Sequence, residues 1–147
     1  MMFPVIDEKK TVANVQAFFN SILPRLLNRA GRAIDELTKP AEWEKNYRGQ
    51  TKGNEYEQIV DAIIEAIGIM RDGQAYNFHR TLLIDCYIKR KTNFDEEIKL
   101  GYGERTINKY RLQACVEFAE CLEGVKDRRG IEDINLLAET VQEGCGI

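Results

Sequence analysis

Proline is scarce in this 147-residue chain, with three in all, and nothing resembles a long Gly, Ser or Pro linker. Few clean breaks between structural units are therefore expected. No apolar run approaches the ~20 residues that cross a bilayer, so no membrane helix is expected. The opening MMFPVIDEKK lacks a basic leader followed by an apolar stretch, so no secretion signal is expected and the cytoplasm is the expected compartment. The four cysteines, Cys86, Cys115, Cys121 and Cys145, form no C-x-x-C pair, and His79 is the one histidine. That spacing offers no metal site and no disulfide framework. Three of the thiols fall in apolar stretches, where cysteine behaves as a small hydrophobe. Neither a Ser-His-Asp arrangement, a phosphate-cradling glycine loop nor a pair of inward carboxylates can be argued. The chain is expected to be no enzyme and to need no cofactor.

What is present is helical periodicity. An apolar fraction of 44% can fill one core, and 31% charged residues can cover it. Val12, Val15, Phe18, Phe19, Ile22, Leu23, Leu26 and Leu27 recur at steps of three and four, with a kink or break expected at Pro24. Residues 1–37 thus read as an N-terminal helical segment. Residues 38–53, with Pro40, Gly49 and Gly53, read as a loop in which Trp43 and Tyr47 cover a core edge. Tyr56, Ile59, Val60, Ile63, Ile64, Ile67 and Met70 mark an amphipathic helix. A more uniformly apolar helix follows over 75–90, and His79 within it reads as structural. Asn93 with Glu96 reads as a capping box that starts a short helix ending near Lys99. After Leu100-Gly101-Tyr102-Gly103 comes a long helix, expected from Glu104 to about Glu123. Residues 54–124 form the central unit, and Ile131, Ile134, Leu137, Ala138 and Val141 read as an accessory helix within 125–147. The fold class is all-α.

The net charge of −3 is unevenly spread. Arg80 to Arg111 holds eight Lys or Arg against five Asp or Glu, whereas the residues from Leu112 onward hold three against eight. A basic middle is permissive for DNA. Within it, a short helix, a glycine turn and a second helix have the makings of a helix-turn-helix. Ile107, Tyr110, Ala114, Phe118 and Cys121 form the inward side of the second helix. The opposite side presents Arg105, Asn108 and Lys109, with Gln113 at its edge and Thr106 and Arg111 alongside. Arg and Asn can pair with guanine and adenine edges, while Lys meets phosphate, and recognition helices read with their first turns. Lys89, Arg90 and Lys91 serve equally as a phosphate clamp or as a solvated helix end. Leu112, Val116 and Ala119 widen the apolar surface. Either the final helix or a second copy must cover it, and a dimer would multiply specificity.

An amphipathic helix, a buried helix, then a short helix, turn and long helix resemble the promoter-binding four-helix region of sigma factors. More specifically, LLIDCYI, LGYGERT and ACVEFAECL resemble the ArpU family of phage-encoded transcriptional regulators, over about Ala62 to Glu123. The resemblance implies a phage or prophage regulator of late genes that binds double-stranded DNA through the helix from Glu104. The sigma-like layout also allows contact with host RNA polymerase. Two departures stand out. Gly103 replaces the family's Ser before the recognition helix, and Glu96-Glu97 stand where an apolar and a small residue are usual. Acidic residues facing DNA would repel phosphate. A phage packaging or assembly component, or an interaction module without DNA binding, are the alternatives.

Overall fold

The computed structural model describes residues 3–47 and 53–140, and their fold is mostly helical. Asp7 accepts a hydrogen bond from the Lys10 N–H and starts α1 (Glu8–Ala17). A π-helical turn over Phe18–Ile22 then joins α1 to α2 (Leu23–Ala30), next to Pro24, where a kink or break was expected. In this wider turn the Leu23 N–H reaches back to the Phe18 carbonyl. Pro24, which has no N–H, leaves the next carbonyl, that of Phe19, open to another donor. Arg90 fills that role, donating from Nη2 to Phe19 O at 2.9 Å and from Nη1 to Asn20 Oδ1 at 2.6 Å.

The segment expected as a loop contains regular structure. After a 3-10 turn over Ile34–Thr38, α3 spans Pro40–Tyr47. Pro40 works here as a helix starter, because the first turn of a helix has no use for its missing N–H. Trp43 is buried as expected, donating from Nε1 to Asp61 Oδ1 at 2.9 Å, with the Arg129 guanidinium 5.8 Å from its ring centre. The Tyr47 side chain lies outside the described residues.

Helix α4 (Glu55–Ile69) opens on an Asn54–Glu57 capping box and buries Ile59, Val60, Ile63, Ile64 and Ile67. The next helix begins later than periodicity suggested. Asn77 and Phe78 both adopt left-handed backbone angles, and α5 (His79–Leu83) follows, running into a second π-helical turn over Ile84–Ile88. Helix α6 (Asn93–Leu100) is capped one residue earlier than expected, by a reciprocal Thr92–Asp95 pair. This correction frees Glu96 for a different use, described below.

Helix α7 (Glu104–Arg129) is the spine, about 39 Å long. Gly124, expected to end it, sits inside it, and the left-handed Gly130 ends it instead. Helices α1, α4, α5 and α6 all pack on α7. Phe19, Tyr87 and Phe118 meet between them, with ring centres 5.3 to 5.6 Å apart. Each such ring, once buried, contributes on the order of 1.5–3 kcal/mol.

The accessory helix expected after Ile131 does not form in the described residues. Residues 131–138 run without regular structure, and β2 (Glu139–Thr140) pairs antiparallel with β1 (Val5–Ile6). The reason lies in competing partners for the backbone. Lys126 Nζ, buried on α7, donates to Ile134 O at 3.0 Å, and Asn14 Nδ2 donates to Leu136 O at 3.0 Å. Thr11 Oγ1 takes the Ala138 N–H. Ile134 itself has a positive φ. Side chains of α1 and α7 thus satisfy groups that a helix would have paired internally. Val141, the last apolar residue of that expected helix, lies outside the described residues.

Candidate nucleic-acid interface

The joint between α6 and α7 is a three-residue turn with a separate task for each position. Gly101 has φ +78°, a conformation that suits glycine, and ends α6. Tyr102 places its ring between Phe78 and Tyr110, at 6.3 and 5.5 Å between centres. Gly103 is extended and serves as N-cap of α7 without a side-chain hydrogen bond. Ile107 and Ala114, fully buried, fix the rotation of α7 about its axis.

That rotation sends Arg105 and Lys109 outward. Both are exposed, and among the described residues neither forms an ion pair or a side-chain hydrogen bond. Thr106 is half-buried beside them. The other sequence-derived members divide. Asn108 is half-buried, and its Oδ1 accepts from Arg111 Nη2 at 2.9 Å. Arg111 lies half-buried with its guanidinium 5.9 Å from the Tyr87 ring centre, packed against the core. Gln113 is drawn into an inter-helix network. Its Oε1 lies 3.2 Å from both Asn77 Nδ2 and His79 Nε2. His79 Nδ1 also sits 2.6 Å from Glu117 Oε2, and the other oxygen of Glu117 accepts from the Arg71 N–H. Lys89 and Lys91 are exposed. Arg90 is committed to the α1–α2 junction and Lys89 is ion-paired with Asp85 at 3.9 Å, so Lys91 is the one member of the triplet without an ion pair or side-chain hydrogen bond among the described residues.

Glu96 and Glu97 of α6 are not displayed together toward solvent. Glu96 is 0% exposed and Glu97 is half-buried, while Phe94 and Ile98 are 66% and 70% exposed. The helix is turned so that Glu96 enters the protein against Asp85, which is itself buried on the π-helical turn after α5. Lys99 Nζ closes the cluster 2.6 Å from Asp85 Oδ2, with Lys89 Nζ 3.9 Å from the other oxygen. Burial, then the hydrogen bond to Asp85 and its charge, push the Glu96 carboxyl up to about 7. Burial would also raise Asp85, but hydrogen bonds from Lys99 and Glu96 and the ammonium charges outweigh it, holding Asp85 below the usual value.

Sequence reasoning did not anticipate the neighbour of the face that carries Arg105 and Lys109. Helix α1 flanks the first half of α7, and a groove enclosing ≈ 600 Å³ lies between them. Arg105, Asn108, Lys109 and Gln113 line one side, and Glu8, Lys9 and Val12 line the other. Leu112 and Val116, the apolar surface in need of a cover, reach into this groove and are only half covered, whereas Ala119 is buried. Nothing in the spacing of α1 alone signals that Lys9 faces Arg105 across a gap.

Among the described residues no cluster of three metal-ligating side chains occurs, and no helix is long and apolar enough to cross a membrane. No family model, curated protein or solved structure matches the chain.

Proposed function

We propose that the chain is a DNA-binding transcriptional regulator of helix-turn-helix type, with the first two turns of α7 entering the major groove. The observation that carries this reading is the pair Arg105 and Lys109, exposed one turn apart and without an ion pair or side-chain hydrogen bond among the described residues, on a helix whose rotation the core fixes. Removal of the Glu96 carboxylate from the surface supports it, since that charge no longer opposes phosphate. The contact set is narrower than the sequence suggested. Arg105 is the base-reading side chain, Lys109 and Thr106 flank it, and Lys89 and Lys91 serve the phosphates. The resemblance to phage regulators supports late genes as the target and host RNA polymerase as a further partner. A homodimer, read by sedimentation at micromolar concentration, would supply the second half-site.

The test selects duplexes from a random library and measures binding by fluorescence anisotropy at several salt concentrations. Arg105→Ala with Lys109→Ala should weaken the selected site by several kcal/mol in total and flatten the salt dependence by about one phosphate contact. Unchanged affinity in the double variant, or no duplex preference at all, would refute the reading. The exposure of Phe94 and Ile98 favours a second reading, a helical interaction module or phage assembly component. A ring-sized particle in solution that does not bind DNA would select it.

A further inference from the structure

DNA reading through Arg105 and Lys109 leaves the floor of the α1–α7 groove without a use. That floor is Val12, Leu112 and Val116, three aliphatic side chains only half covered by the rest of the protein. Leu112 and Val116 are one turn apart on α7, so the apolar strip runs along the helix. Lys9, Arg105 and Lys109 stand on the rim, all exposed and free of ion pairs among the described residues. Glu8 is the one acidic side chain in the lining.

We propose that this groove is a binding site for a linear anionic amphiphile, an apolar chain carrying one carboxylate. The charge balance of the rim selects the head group, because an anion meets three cations while an ammonium would be repelled by them. The carboxylate sits between Arg105, Lys109 and Lys9, where a guanidinium can hold both of its oxygens. The chain lies over Leu112, Val116 and Val12 and removes their remaining surface from water. From Arg105 to Val116 the helix advances about 16 Å, the length of a medium acyl chain. The enclosed ≈ 600 Å³ also falls within the range of small-molecule sites. If α7 reads DNA, the ligand and the duplex share Arg105 and Lys109 and exclude one another; that clause alone rests on the proposed function.

The experiment titrates sodium decanoate, kept monomeric, into the full chain without DNA, following heat and backbone amide shifts. Saturable one-site binding is expected, with shifts centred on residues 8–12 and 105–116. Lys9→Glu, at an exposed position that leaves the fold intact, should weaken it by about tenfold or more. Leu112→Asn should do the same, with its folding checked by circular dichroism. Decyltrimethylammonium, of equal chain length and opposite charge, should not bind. No saturable binding, equal binding of the cationic chain, or shifts confined to other surfaces would each overturn the proposal. Decanoate binding with no duplex recognition would leave this site standing and remove the DNA reading. Duplex recognition without decanoate binding would do the reverse.

Discussion

Replacing Glu96 by Gln should stabilise the protein at pH 8 and leave it almost unchanged at pH 5. Glu96 is wholly buried, and as a carboxylate neither of its oxygens has a hydrogen-bond partner. As a carboxylic acid it can donate to Asp85, whose negative charge is already held by Lys99 at 2.6 Å. The proton is therefore bound more tightly in the folded chain than in the unfolded one, where the pKa is 4.5. The folded value of about 7 makes the protonated group a source of stability that is fully present below pH 4.5. It fades as pH rises through about 7, after which no more is lost. The gap between the two values corresponds to about 3 kcal/mol at most. Asp85 has the opposite sign, since its folded pKa is lowered. Its contribution is present above 3.8 and is lost on acidification below that, outside the Glu96 window.

Glutamine keeps the shape and offers an amide N–H to Asp85 at every pH. Urea unfolding followed by the fluorescence of Trp43, the sole and buried tryptophan, should give superimposed curves for the two proteins at pH 5. Between pH 5 and 8 the native protein should lose on the order of 2–3 kcal/mol relative to Glu96→Gln, or about 4–12 °C in Tm. Equal pH slopes in the two proteins would show that Glu96 does not carry the proton. A destabilised variant at all pH values would show that the Asp85 contact is not a hydrogen bond from a neutral acid.

The turn before α7 supplies a contrasting pair. Gly101→Ala should cost about 1 kcal/mol in chemical denaturation, since φ is +78°, while Gly103→Ser should gain a few tenths by capping α7 in open space. Arg90→Ala should lower stability by about 1–3 kcal/mol through loss of its two hydrogen bonds at Phe19 and Asn20; an effect on DNA affinity alone would contradict that role. Burial pushes the Cys86 thiol up to about 12 and that of Cys115 up to about 11, so both should resist iodoacetamide at pH 8 until urea unfolds the chain. Peptide mass mapping that finds either alkylated in the native protein would show the core to be looser than described.

The helices that bury one continuous stripe were legible because the core imposes a single period on them. Helix α4 reads directly from Ile59, Ile63 and Ile67, and α7 from Ile107, Ala114 and Phe118. Failures arise where a backbone group finds its partner far away in the chain. The kink or break expected at Pro24 takes the form of a π-helical turn, and Arg90, distant in sequence, takes the freed carbonyl, which the sequence did not signal. Ile131 to Ala138 looked like a helix, yet Thr11, Asn14 and Lys126 claim its polar groups. Local propensity is a weak prior against such tertiary demands.

The candidate site shows the same division, and here it bears on function. Arg105 and Lys109 could be read from their spacing, because their outward direction follows from the inward stripe of the same helix. Asn108 is tied to Arg111 on the same helix, while Arg111 and Gln113 also meet Tyr87, Asn77 and His79 from another part of the chain, which their spacing alone does not signal. From sequence, Glu96 and Glu97 stand as acidic residues that would repel phosphate if they faced DNA. With the helix turned, the Glu96 carboxyl becomes an internal proton donor and Phe94 and Ile98 become surface. This orientation of α6 places a carboxyl against Asp85 whose ionised form would be buried without a hydrogen-bond partner. The same turn of α6 takes the Glu96 carboxyl off the protein surface and into the core, where its charge is neutralised by a proton and not by solvent.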